Sequence, residues 1–345
     1  HHPSTIHILM LSSRHVLDEE RVPDEDLVVH RRDELDRLMA ALRPGDTWPT
    51  DLMYLIGPTG TGKTMLSKLA FDLLEQDGEM PEFESAYVNC WRHDERRDIL
   101  LQTVDQLCRA PVHESSTGRS ELISHLENDP GYPQYLVLDE VDQLHDKDVL
   151  YDLHSVPVNL ILVANREEDL FAGMADRLKS RLSVGRRIEC GAYADREIAA
   201  ILSKRAEYVL GRAGSRWDER DMMHIAEHCD GDARVGVRTL RIAVEEDGEV
   251  PDDVVERILP QARDRLRQKS RDQLTDHQVA VLCVVEEFGP ITTNGVMEQY
   301  RDRVDDARTK RTVQTYLSKL EQYNHVKRSG AENKPEWSAV EYETV

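Results

Sequence analysis

The run Gly57-Pro58-Thr59-Gly60-Thr61-Gly62-Lys63-Thr64 fits the pattern G-x-x-x-x-G-K-[ST] at every fixed position. Glycines at these places let the backbone curl so that its N–H groups face phosphate oxygens at a helix N-terminus. Lys63 is then placed to reach β- and γ-phosphates, and the Thr64 hydroxyl to ligate magnesium. Pro58, Thr59, Gly60, Thr61, Gly62, Lys63 and Thr64 are therefore expected to hold ATP or ADP. About 75 residues further on, the apolar run 135–138 ends in Asp139-Glu140. Two acids after an apolar run mean little alone, but after a phosphate loop they carry weight. Asp139 is expected to hold magnesium with Thr64, directly or through water, and Glu140 to polarise the attacking water. Asn165, at the end of the apolar run 160–164, is placed to touch the γ-phosphate or that water.

Two further cations need a reason. Arg181 lies in Asp176-Arg177-Leu178-Lys179-Ser180-Arg181-Leu182. It reads either as an arginine that reaches a neighbouring molecule's nucleotide and stabilises transferring phosphoryl charge, or as part of a solvated basic helix. Arg177 is the lesser candidate for the same role. Arg234 falls in the first turn of a helix starting after Gly231, where a cation opposes the helix dipole. An anionic γ-phosphate facing it would account for the choice.

These residues must be held by elements, and the patterns supply them. Short apolar runs at Leu52–Ile56, 86–89, 135–138, 160–164 and 187–190 alternate with helical periods. Such runs predict parallel strands buried on both faces, a three-layer α/β core. From 195 to about 268 only helical patterns occur: Asp195–Leu210, 218–228, 232–245 and 252–267. The polar stretch 267–273 is expected to link this region to the next. A third region opens with a helix over 275–288, whose Val279, Leu282, Cys283, Val285 and Phe288 are expected on one buried side. Two more helices follow, then short strands near 325–327 and 336–340 joined by a turn at Gly330. The expected domains are 20–194 for the core, 195–268 for a helical lid and 270–345 for a C-terminal module.

Helices followed by a hairpin predict a winged helix, which lays one helix in the DNA major groove. The helix over 309–323 buries Val313, Leu317 and Leu320 and offers Lys310, Arg311, Gln314, Thr315 and Ser318 on its other side. Arginine and glutamine suit base edges, threonine and serine suit phosphates. With Arg308 and Arg328 these are the expected DNA contacts. Residues 301–328 carry a net charge of +4, and Tyr316 and Tyr323 read as packing residues.

In this order, the phosphate loop, Asp139-Glu140, Asn165, Ser180-Arg181-Leu182 and Arg234 resemble an AAA+ ATPase. More narrowly, the chain resembles the archaeal origin-recognition/Cdc replication initiators over about residues 20–340. The likeness rests on 22–38, on Tyr87-Val88-Asn89-Cys90, on Gly231-Asp232-Ala233-Arg234 and on Leu274-Thr275-Asp276-His277-Gln278. It implies an AAA+ core with a helical lid and a winged helix. It also implies that His30 and Arg31 lie beside the adenine base, with Tyr193 in the same nucleotide site. Family members carry a DNA-pressing insertion between the second and third core strands; the 43 residues 91–133, with helical patterns at 95–107 and 119–127, leave room for one. The implied function is ATP-dependent recognition of origin DNA, with magnesium as cofactor and slow hydrolysis as a switch. A replicative helicase and other initiator subunits are implied partners, in the cytoplasm at the nucleoid. The wing, Arg328-Ser329-Gly330-Ala331-Glu332-Asn333-Lys334, is less basic than the family's usual one. A second reading is therefore an ATP-dependent regulator that binds DNA or a protein and loads no helicase. A remodelling ATPase would need pore-loop aromatics, and no such motif stands out.

Composition frames both readings. A length of 345 residues suits two or three domains. The formal charge is −22, and of the 44 basic residues only 10 are lysine. Many carboxylates and few lysines suit concentrated salt, where the Debye length falls to roughly 3 Å at 1 M. A cytoplasmic protein of a salt-loving microbe is expected. The acidity alone would argue against nucleic acid, but −19 of it lies in residues 1–269. No apolar run approaches the length of a bilayer span, so no membrane partner is expected. Five cysteines without a C-x-x-C pair predict neither zinc nor disulfides. The opening His1-His2-Pro3 is expected to be a tag remnant or a truncated start, and no apolar stretch follows a basic start as in a secretory signal.

Overall fold

Each expected core strand forms. In the computed structural model, which describes residues 14–43, 52–78, 80–110, 112–113, 117–210, 217–331 and 334–340, they are β1 (Leu52–Ile56), β2 (Glu84–Asn89), β3 (Gln134–Asp139), β4 (Asn159–Ala164) and β5 (Arg186–Glu189). They pair in parallel in the order β2-β3-β4-β1-β5. Alternation decides which layer each side chain joins. Leu52, Tyr54, Leu136, Leu138, Leu160 and Leu162 face the helices Arg96–Cys108, Arg119–Leu126 and Val149–His154. Met53, Leu55, Tyr135, Val137, Ile161 and Val163 face Arg32–Leu42 and Lys63–Gln76 on the other side. Both faces are covered, so continuous apolar runs are required, and every residue of β3 is buried.

This strand order sets the site. The carboxyl ends of β1, β4 and β3 lie side by side, and β4 stands between the strands that carry the phosphate loop and Asp139. Ligands of open parallel sheets bind at such an edge. The two helices between β2 and β3 are Arg96–Cys108 and Arg119–Leu126, tied together at Asp152. The Asp152 carboxylate accepts from Arg96 at 2.7 and 2.8 Å and from Arg119 at 3.1 and 2.8 Å.

The lid helices are Asp195–Leu210, Glu219–Ala226 and Ala233–Glu246. Asp218 opens the second with a reciprocal capping box, its side chain accepting from the backbone of Asp221 at 3.0 Å. The segment Arg14–Leu17 lies against the lid: Val16 and Leu17 are buried and the Val16 carbonyl accepts from Arg205.

The chain divides into two compact units between Leu259 and Pro260. The second contains most of Leu259–Arg271, then Asp276–Phe288, Thr293–Arg301 and Lys310–Gln322, with β6 (Ile291–Thr292), β7 (Val326–Ala331) and β8 (Lys334–Ala339) antiparallel in the order β6-β8-β7. Helices capped by this small sheet make a winged helix around Val281, Leu282, Tyr300, Val313, Leu317, Leu320 and Trp337.

Three expectations need correcting, and one element was not foreseen. The expected link 267–273 is mostly helix, because Leu259–Arg271 continues into it as far as Arg271, with Asp272 and Gln273 in a turn; its arginine, glutamine and lysine residues are good helix formers. Phe288 is exposed, since Asp276–Phe288 buries Gln278, Val281, Leu282, Val284 and Val285, a stripe rotated from the expected one. Gly330 does not make the turn: with φ of 83° it pairs with Pro335 within the ladder of β7 and β8, and residues 332–333 lie outside the described residues. The short β6 left no sequence signal at two residues.

Candidate nucleotide site and nucleic-acid face

The phosphate loop leaves β1 and enters the helix Lys63–Gln76 through Gly62, whose φ is 89°. Gly60 explains itself by contact: at φ of 77°, an added Cβ would stand 1.9 Å from Asp232 Oδ1. Lys63 is buried, and its ammonium donates to the carbonyls of Gly57 at 2.6 Å and Pro58 at 2.7 Å and to Asn165 Oδ1 at 3.1 Å. Burial pulls this ammonium below its ordinary range, against Asp139. Asn165 Oδ1 also accepts from Thr59 Oγ1 at 3.3 Å. The Thr61 hydroxyl turns back to the Pro58 carbonyl at 2.8 Å. All seven expected loop residues and Asn165 thus belong to one cluster.

Asp139 is buried at the tip of β3. Its Oδ2 accepts from Thr64 Oγ1 at 2.6 Å and from the Tyr87 hydroxyl, and its Oδ1 accepts from the backbone of Glu140 at 2.9 Å. Burial and the Glu140 carboxylate push Asp139 above the usual range, while Thr64, Tyr87 and Lys63 pull the other way. Glu140 follows with φ of 55°, a left-handed conformation rare for a residue with a side chain.

The lid closes on the same loop. Asp232 caps Ala233–Glu246, accepting from Arg234 N at 2.9 Å, and the Ala233 N–H donates to the Gly60 carbonyl at 3.3 Å. The Arg234 guanidinium donates to both Asp232 oxygens, at 3.1 and 2.7 Å. Burial disfavours ionised Asp232, but Arg234 and Lys63 hold its carboxyl below the usual range. Arg234 therefore lies near the phosphate loop, paired with Asp232, a partner the sequence reading did not assign.

Arg31 and Tyr193 also meet the phosphate loop: an added Cβ on Gly62 would stand 3.1 Å from the Tyr193 hydroxyl. Arg31, at φ of 77°, stands before the helix Arg32–Leu42, and its guanidinium lies 4.1 Å from the Tyr193 ring centroid. It donates to the Thr61 carbonyl at 3.1 Å, to Glu34 at 3.0 Å and to the Gly191 carbonyl. His30 sits 3.8 Å from Glu197, at the start of the lid. Arg181 is placed elsewhere: it is exposed on the helix Asp176–Leu182 and lies 4.8 Å from the Tyr151 ring, which Arg177 shares at 5.7 Å.

On the winged helix, Lys310, Arg311, Gln314 and Ser318 are exposed along Lys310–Gln322, and Arg328 is exposed on β7. Thr315 is half-buried and donates to the Arg311 carbonyl at 3.2 Å. Arg308 is half-buried, its backbone N–H donating to the Tyr300 hydroxyl at 3.1 Å. Tyr316 packs in the core. Lys319 does not belong to the basic face: it is buried, with its ammonium 4.9 Å from the Tyr323 ring.

Residues 49–172 match the family described as an AAA domain. The ORC1-type DNA replication protein 9 of Halobacterium salinarum is 37% identical over 340 residues, covering 96% of this chain and 94% of the relative. The chain belongs to the ORC1-type DNA replication protein family. The same organism's ORC1-type DNA replication protein 1 is 33% identical over 314 residues, covering 88% of this chain and 99% of that one. Among solved structures, the Aeropyrum pernix ORC1 protein in complex with DNA superposes with a TM-score of 0.67 at 25% identity, over 94% of this chain and 92% of its own.

Three site residues escaped the sequence reading. Tyr87 lay in a quoted motif without a role. Asp232 carried the signal of an N-cap acid, legible before Ala233. Glu34 followed Arg31 at helical spacing, which suits an ion pair.

Proposed function

We propose that this chain is an ATP-dependent replication initiator that recognises origin DNA. The observation that carries it is the convergence of Lys63, Thr64, Asp139, Asn165 and the Asp232–Arg234 pair on one phosphate loop, in a chain of this family. ATP lies between the core (20–194) and the lid (195–268), with Arg31 and Tyr193, and His30 nearby, toward the base. Lys63 and Arg234 exchange their present acceptors for phosphate oxygens. Glu140 polarises the attacking water, and slow hydrolysis resets the lid. Arg181, exposed, acts on the nucleotide of a neighbouring initiator subunit.

Thr64 and Asp139 fit magnesium: both offer hard oxygens, 2.6 Å apart. Among the described residues no group of three or more His, Cys, Asp or Glu could hold a metal alone. Phosphate oxygens of a bound nucleotide would supply further ligands to an ion held there, and the ion would neutralise their charge.

The winged helix (270–345) reads duplex DNA through Lys310, Arg311, Gln314 and Ser318, with Thr315, Arg308 and Arg328 supporting, and the helices between β2 and β3 add a second contact. The DNA-bound Aeropyrum pernix relative supports this half. The protein acts in the cytoplasm at the nucleoid, delivering a replicative helicase. No helix among the described residues is long and apolar enough to cross a membrane. Nuclease footprinting in molar KCl, on DNA flanking the protein's own gene, tests the proposal. ATP-dependent protection of an origin-like repeat is expected; no protection anywhere would overturn it.

A further inference from the structure

Asp139 meets more than the phosphate loop. The Tyr87 hydroxyl, from β2, donates to the same Oδ2 that accepts from Thr64. Oδ1 is held by the Glu140 backbone, so both carboxylate oxygens and the plane between them are fixed. Tyr87 is itself well held. Its backbone exchanges hydrogen bonds with the Gln106 amide at 2.9 and 3.2 Å, and the Lys68 ammonium lies 4.4 Å from its ring. Thr64 belongs to the loop that must rearrange around phosphates and turn its oxygen toward a metal. Tyr87 stands on a neighbouring strand, paired in register with β3, and need not move.

We infer that Tyr87 is a positioning residue that holds the Asp139 carboxylate in the orientation magnesium requires, and so sets how tightly the ion is held with the nucleotide. The inference rests on the nucleotide reading above. The hydroxyl does its work through Asp139, the carboxylate it bonds. A hydrogen bond to an ionised acceptor is stronger than a neutral one, and here it also opposes the cost of burying the charge.

Tyr87→Phe removes one oxygen and keeps the ring beneath Lys68. Calorimetric titration of ADP in EDTA and across a MgCl2 series separates the two roles. Metal-free ADP affinity should stay within about twofold of wild type, while the half-saturating magnesium concentration rises about tenfold, as expected for loss of one charge-assisted hydrogen bond. Tyr135→Phe serves as a control, because its hydroxyl donates to the Leu42 carbonyl within the same core. It should leave the magnesium series unchanged. Superimposable magnesium curves for Tyr87→Phe and wild type would overturn the inference, as would an equal shift in Tyr135→Phe. A wild-type protein that binds no ADP under any condition would instead overturn the nucleotide reading and this inference with it.

Discussion

At the scale of single residues, the account separates binding from turnover. Lys63 is buried with three oxygen acceptors that phosphates would replace. Lys63→Ala should weaken ATP binding at least about a hundredfold, read by calorimetry, since charge-assisted contacts to phosphate are lost. Glu140→Gln keeps the size and the left-handed backbone but cannot take a proton. It should bind ATP as wild type does and hydrolyse it about 10²–10⁴-fold more slowly. Equal turnover would remove Glu140 from its role. Lys63, Thr64, Asp139 and Asn165 were legible because each stands at a fixed offset from a glycine loop or a strand end. Tyr87 was not: its role depends on the register of β2 with β3, and a tyrosine in a strand usually reads as packing.

Elements show why spacing alone runs out. Ala233–Glu246 carries Arg234 beside the phosphate loop and Arg238 one turn later, where it pairs with Glu19. The pair is almost dry, with 1% of the Glu19 side chain and 11% of Arg238 exposed. Removing one partner leaves an uncompensated buried charge, so Glu19→Ala should lower stability by about 3 kcal/mol in chemical denaturation. The segment from Arg14 onward thus touches the lid, and through Arg31 the phosphate loop. No local pattern links residues 219 positions apart in the chain. In the winged helix, His325 is buried with Ser270 Oγ 2.8 Å from its Nε2. Burial, Arg267 and Arg271 lower it from 6.5 to about 4. The folded state therefore resists protonation while the unfolded chain accepts it. Stability should be full above about pH 6.5 and fall progressively toward pH 4. Thermal melts across that window should show a flatter dependence for His325→Gln than for wild type. An identical slope would mean the histidine is not the group that titrates.

Over the whole molecule, the fold class was written in alternation: five apolar runs, then helices, then a helix-rich module with a hairpin. What the sequence hid was continuity, as in the polar stretch that remains helical to Arg271, because good helix formers can look like a linker. The acidity also resolves at this scale. A net −19 lies in residues 1–269, while the exposed side of Lys310–Gln322 carries Lys310 and Arg311. Relatives from Halobacterium salinarum fit an acidic surface adapted to salt. Counterion release scales with the number of phosphates that cations neutralise, and this face offers few cations, so DNA affinity should fall by only about 10- to 50-fold between about 1 and about 3 M KCl, read by filter binding or fluorescence anisotropy. The most direct test of the central claim is a map of the DNA bound by this protein across its own genome. The account predicts a few sharp peaks over origin-like repeats, which Lys63→Ala diminishes. Uniform coverage, or peaks confined to promoters with no coincident replication start, would contradict it.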